Sequence, residues 1–277
     1  MIKWVLALAV VWMLLILAWK VSSVARFYIK FSIYAVVSFV SATCPIPLML
    51  LRPKSSKNAL FPAAALSCCA KYVLGLDIKI KGKENIVEGS GSVVLINHQS
   101  VVDLIVLAEL WPVMERCTVI SKKEIFYIWP FGLAAWLWGT IFIDRLNGVK
   151  AQDAINSTGE IIRSRRARVM MFPEGTRSQK EKLLPFKKGA FHLAIASKCP
   201  IQPIIVNRYK FLGPKRFDDG SIEVSILPPI ATDQVSRENI GELIDKTYHI
   251  MQDHLDSLDA QHATTTPNNN IDKSKDI

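Results

Sequence analysis

A chain of 277 residues, 50% of them hydrophobic and carrying a net charge of +10, has room for one large domain with attachments. The positive balance favours partners that carry phosphate, such as anionic lipid headgroups or phosphorylated metabolites. It does not point to nucleic acid, because no basic stripe interleaved with aromatics and no recognised binding motif accompanies it.

The chain begins with an uncharged apolar run, Trp4 to Trp19, between Lys3 and Lys20. It falls just short of the roughly 17–25 residues of a usual membrane span, and tryptophan at each end suits a membrane interface. A cleaved signal peptide is the alternative, since Ser23-Val24-Ala25 supplies small residues near a cleavage point. A second apolar run, Phe31 to Leu51, is interrupted by Pro45 and Pro47. Positive residues lie on both sides of it: Lys20, Arg26 and Lys30 before, Arg52, Lys54 and Lys57 after. The charge asymmetry that orients spans is therefore indecisive, and two full spans and a hairpin dipping into one leaflet both stay open.

A helix is expected from Leu60 to Leu74, with Gly75 ending it. Asp77 to Gly82 alternates as a half-buried strand. Strand-like runs follow at Ser92–Ile96, Cys117–Ser121, Thr140–Ile143, Val169–Phe172, Ile201–Val206 and Ile222–Leu227. Helical patterns at Asp103–Leu110, Lys150–Arg163 and Gly189–Ser197 separate several of them. This alternation predicts an α/β fold, a mostly buried mixed sheet flanked by helices, with an N-terminal membrane-associated helical region. A last helix runs from after Glu238 to about Leu258, and a polar tail is expected to be disordered. The five cysteines are odd in number and lack metal-type spacing, so they read as free thiols packed as small apolar residues.

Four blocks carry chemistry. Asn97-His98-x4-Asp103 follows an apolar strand, and a carboxylate accepting from one imidazole nitrogen leaves the other free to take a proton. Helix capping by Asp103 is the sober alternative. Gly139 to Arg145 ends a strand in Asp144-Arg145, whose guanidinium forks toward phosphate unless it forms a mere surface pair. Phe172-Pro173-Glu174-Gly175-Thr176-Arg177-Ser178 runs from a strand into a charged turn. There Gly175 permits close backbone approach, Glu174 braces and Arg177 holds phosphate, or the turn is an ordinary solvated one. In Cys199 to Val206, Pro200 and Pro203 bracket Ile201 and suggest an acyl-chain or donor wall, with plain strand geometry equally open.

In this order and spacing the blocks resemble the glycerophospholipid acyltransferases, most closely the animal 1-acylglycerol-3-phosphate acyltransferases. Ser121-Lys122-Lys123-Glu124, Leu184 to Ala194 and Leu227-Pro228-Pro229 add to the resemblance, which covers roughly residues 60–258. Gln99-Ser100 fits the branch that forms phosphatidic acid, whereas Gln202 stands where a small or apolar residue is common. The expected division is residues 1–57 as a membrane-spanning or membrane-dipping region from their apolar runs, 58–258 as the acyltransferase domain that the resemblance implies, and 259–277 as a disordered tail from its polar composition. It implies acyl transfer from acyl-CoA to the sn-2 hydroxyl of lysophosphatidate. His98 would act as base, Asp103 as its orienting partner, and Arg145, Arg177 and Lys122 as the phosphate cradle. Asn97, Glu174 and Gly175 would support the site. Glu174 would position Arg177 or the acceptor. No metal and no cofactor are expected, since acyl-CoA is a co-substrate and the chain offers no persuasive ligand cluster. The resemblance further implies a bilayer partner and an endoplasmic reticulum membrane, with the catalytic domain facing the cytosol. Another acceptor, such as glycerol-3-phosphate or a different lysophospholipid, and a non-catalytic lipid-binding protein are the alternatives.

Overall fold

The structure, a computed structural model, describes residues 2–143, 148–236 and 238–264. Two long apolar helices come first, α1 (Ile2–Val21) and α2 (Ser23–Thr43). Ser22 separates them as an N-cap, its hydroxyl accepting from the Ala25 N–H at 3.2 Å. Arg26 and Lys30 therefore lie inside a helix rather than in a linker. Pro45 then stops α2, and one further turn, α3 (Ile46–Met49), precedes α4 (Leu60–Tyr72).

The remaining elements alternate: β1 (Leu76–Lys81), β2 (Ser92–Ile96), α5 (Asp103–Met114), β3 (Cys117–Lys122), α6 (Phe131–Leu137) and β4 (Ile141–Ile143). Then come α7 (Gly148–Arg165), β5 (Arg168–Met171), α8 (Gly189–Ser197) and β6 (Ile201–Val206). A short hairpin, β7 (Leu212–Gly213) and β8 (Arg216–Phe217), leads to β9 (Gly220–Ile226) and α9 (Ile240–Thr264). The last helix thus runs beyond Leu258, into the stretch expected as a tail. The helix is amphipathic up to that point, with Met251, Leu255 and Leu258 all buried.

Seven strands form one sheet in the order β1-β9-β6-β2-β5-β3-β4. All neighbours are parallel except β6 and β9. The period-two alternation of strand side chains feeds two cores. Val94 and Ile96 of β2 pack on the side of α4 and α5, while Val93 and Leu95 pack on the side of α8 and α9. Helix α5 thus leaves β2 across one face, and α8 leaves the adjacent β5 across the other. Connections that part in this way open a crevice at the carboxyl ends of the two strands, where ligands bind in open α/β sheets.

Helix α2 belongs physically to the domain. Tyr34 and Ala42 are buried, and Phe27, Phe31 and Val37 pack against the core. Lys30 is fully buried, its ammonium donating to the Leu74 carbonyl and to Asp219 Oδ1, both at 2.7 Å. The opposite face of α2 exposes Tyr28, Val36, Phe39 and Val40. Helix α1 exposes Trp4, Leu6, Met13 and Leu17. Helix α1 and the segment Ser23–Met49 are long and apolar enough to cross a membrane by length and composition.

Candidate active site

The carboxyl end of β2 delivers Asn97 and His98 into the crevice. Asn97 is buried and imitates a backbone amide: its side chain donates to the Val206 carbonyl at 3.0 Å and accepts from the Val206 N–H at 2.8 Å. The β2–β6 ladder is thereby continued one residue past the strand end. Gln99 repeats the device, donating to the carbonyls of Val206 and Asn207 and accepting from the Tyr209 N–H. The loop between β2 and α5 is consequently held along its length.

His98 Nδ1 lies 2.6 Å from Asp103 Oδ2. The same oxygen accepts from the N–H groups of Gln99 at 2.8 Å and Ser100 at 3.1 Å. The other oxygen accepts from the Tyr209 hydroxyl at 2.7 Å. Burial, and secondarily the neighbouring Asp103, push the Tyr209 phenol well above its ordinary range, so it remains a donor. A carboxylate facing Nδ1 assigns the proton to that nitrogen and leaves Nε2 as the free base. The imidazole stacks on Phe172, with ring centroids 3.9 Å apart and planes at 18°.

The carboxyl end of β5 supplies the second wall. Gly175 adopts φ +72° and closes a turn onto the Phe172 carbonyl. Glu174 is buried, one oxygen accepting from the His98 N–H at 2.8 Å and the other from the Leu184 N–H at 2.9 Å. Burial raises its carboxyl above the ordinary value, against the pull of these two donors. Glu174 is thus a brace for the histidine loop, and neither oxygen is engaged with Arg177. The Ser178 N–H completes the joint by donating to the His98 carbonyl at 2.8 Å.

A cleft of about 420 Å³ opens beside His98, with Val119, Phe131, Trp138 and Met171 among its apolar walls. Lys122 and Arg177 are exposed and line it. Neither has an acidic partner among the described residues. Arg145, the third expected cation, lies outside the described residues. No group of metal ligands occurs among them.

Pro200, Ile201 and Pro203 do not line the cleft. Ile201 pairs with Val93, at the opposite end of β2 from His98, and Pro203 pairs with Leu95. The apolar run that suggested a wall is buried sheet interior. Gln202 clarifies the local chemistry: fully buried, it accepts from the Val87 N–H at 3.1 Å and donates to the Leu227 carbonyl at 2.5 Å. It patches the sheet beside a proline that has no N–H to give.

Sequence reasoning missed Tyr209 as a partner of Asp103 and Phe172 as the floor under the imidazole. Tyr209 follows closely on the end of β6, the strand beside β2, so its place at a strand end was the available signal.

Over residues 77–207 the chain matches the family model described as Acyltransferase. It is 33% identical to the human 1-acyl-sn-glycerol-3-phosphate acyltransferase alpha, over 87% of this chain and 89% of that protein. It is 39% identical to the 1-acyl-sn-glycerol-3-phosphate acyltransferase of Saccharomyces cerevisiae, over 68% of this chain and 63% of that protein. The crystal structure of the 1-acyl-sn-glycerophosphate (LPA) acyltransferase PlsC from Thermotoga maritima superposes with a TM-score of 0.67 at 21% identity. That match covers 86% of this chain and 98% of the other, a likeness of fold.

Proposed function

This chain belongs to the acyltransferase family, among the 1-acyl-sn-glycerol-3-phosphate acyltransferases, and on that premise we propose that it transfers a fatty acyl group from acyl-CoA to the sn-2 hydroxyl of lysophosphatidate. The products are phosphatidate and coenzyme A. The observation that carries this reading is the His98–Asp103 pair, oriented by Tyr209 and two backbone N–H groups at the edge of an apolar cleft.

An alcohol is a poor nucleophile near neutral pH and needs a base as the new bond forms. The acceptor oxygen attacks the thioester carbonyl carbon while its proton passes to His98 Nε2. As the tetrahedral intermediate collapses, the carbon–sulfur bond breaks and the proton leaves with the thiol. Asp103 holds the ring in the reactive tautomer and offsets the imidazolium charge, so no covalent acyl-enzyme is required. Lys122 and Arg177 receive the acceptor's phosphate. Arg145 is assigned to the same cradle from its place in the sequence motif. Helix α1 and the outer face of α2 set the cleft against a bilayer, which we assign to the endoplasmic reticulum with the domain on the cytosolic side, where acyl-CoA is available.

The test is release of free coenzyme A thiol by the purified full chain, with one long-chain acyl-CoA and a panel of acceptors. Turnover with lysophosphatidate is expected, lowered by at least about 100-fold in His98→Ala. Preference for glycerol-3-phosphate or lysophosphatidylcholine would reject the acceptor, and retained turnover in the variant would reject the base.

A further inference from the structure

One exposed apolar segment is unaccounted for by the catalytic reading. Phe126, Tyr127, Ile128 and Trp129 are consecutive and expose 39%, 67%, 51% and 72% of their surface. Isolated exposed apolar residues need no explanation, but an uninterrupted run of four large ones does. We propose that this turn is a membrane-inserting wedge at the mouth of the cleft, a bilayer contact separate from α1 and α2.

Three observations select a lipid bilayer as the occupant. The first is continuity. Helix α6, which follows the turn directly, packs against α2, α3 and the turn itself. Its first residue, Phe131, lines both the His98 cleft and an apolar groove shared with Ser38 and Ala42 of α2. Leu48, Leu50 and Leu51, in and just beyond α3, are exposed as well. The second is side-chain type: tyrosine and tryptophan place an apolar body in the bilayer and a polar atom at the headgroups. The third is charge, since Lys122 and Lys123 stand immediately before the turn, exposed, where anionic headgroups would lie. Ile125, on the same turn, lines the cleft. An acceptor whose chain stays in lipid would then reach His98 without crossing water.

The inference rests on the membrane reading above, and its test separates the two. The full chain is bound to phosphatidylcholine–phosphatidylserine vesicles with or without acyl-brominated phosphatidylcholine, and emission is compared between wild type and Trp129→Phe. The expected result is a Trp129-dependent emission that brominated lipid quenches. A chain that floats with vesicles while this emission stays unquenched overturns the wedge and leaves the membrane reading intact. A chain that does not float overturns both. Emission shielded from acrylamide yet unquenched by bromine assigns the surface to a protein and also overturns the wedge. In a second variant, Tyr127→Glu, KM for long-chain lysophosphatidate in vesicles rises about tenfold while KM for a water-soluble short-chain acceptor is unchanged. An equal rise for both acceptors overturns the wedge.

Discussion

The inner loop and the outer rim of the cleft are built on opposite plans. Around His98 the buried polar side chains are paired: Asn97 and Gln99 to the end of β6, Asp103 to its four donors, Glu174 to two N–H groups. On the rim, Lys122 and Arg177 reach solvent without an acidic partner among the described residues. A saturated network fixes geometry, because any displacement leaves a buried group unsatisfied. Free cations keep their charge for an incoming anion. On the proposed function, the loop governs turnover and the rim governs capture.

That division can be broken at several points. His98→Ala removes the base and should lower kcat by about 10²–10⁴-fold, read as thiol release, with lysophosphatidate binding retained. Arg177→Ala should raise KM for lysophosphatidate about 10- to 100-fold, the value of one charge-assisted hydrogen bond to phosphate, and change kcat little. A fall in kcat at constant KM would make Arg177 part of the loop's chemistry instead.

Tyr209→Phe leaves Asp103 Oδ1 without its donor and should cost about 1.5–3 kcal/mol of stability in denaturant titration. The same variant should lower kcat more than it raises KM. Glu174→Gln keeps one acceptor for two N–H donors and should cost about 1 kcal/mol. Its pH dependence has a definite sign. The folded carboxyl ionises above the ordinary value of 4.5, so the folded state holds its proton more tightly than the unfolded state. The ionisable wild type therefore has its largest advantage over the glutamine variant below pH 4.5 and loses it as pH rises through the folded value. A melting-temperature difference that widens over that window contradicts the assigned burial.

Much of this was legible in the chain. Ser92–Ile96 and Ile201–Val206 are both interior strands of the sheet buried on both faces, and their apolar runs mark them without reference to the rest. The His98 to Asp103 spacing places a strand end opposite a helix start, which local pattern can specify. Pairings across many residues are not written locally. Glu174 turned to His98 rather than to Arg177, and Tyr209 found Asp103, because β5 and β6 flank β2 in the sheet. The proline-bracketed strand misled for the same reason: its composition shows that it is buried, not which end faces the cleft. Helix α5 continues through Pro112 to Met114, beyond the Leu110 at which the sequence pattern placed its end.

Lys30 sets an order of events in the making of the chain. Its ammonium sits in an apolar helix and has two partners, one of them Asp219, separated from it by 189 positions. Until the ribosome has delivered that carboxylate, α2 carries a cation with only part of its final cradle. The full cradle exists only where Asp219 stands beside Gly75, at the point where Gly220 bonds to Gly75 and β9 pairs with β1. The helix that leaves the ribosome among the first thus takes one of its two polar partners from the segment that leads into β9, among the last strands to emerge.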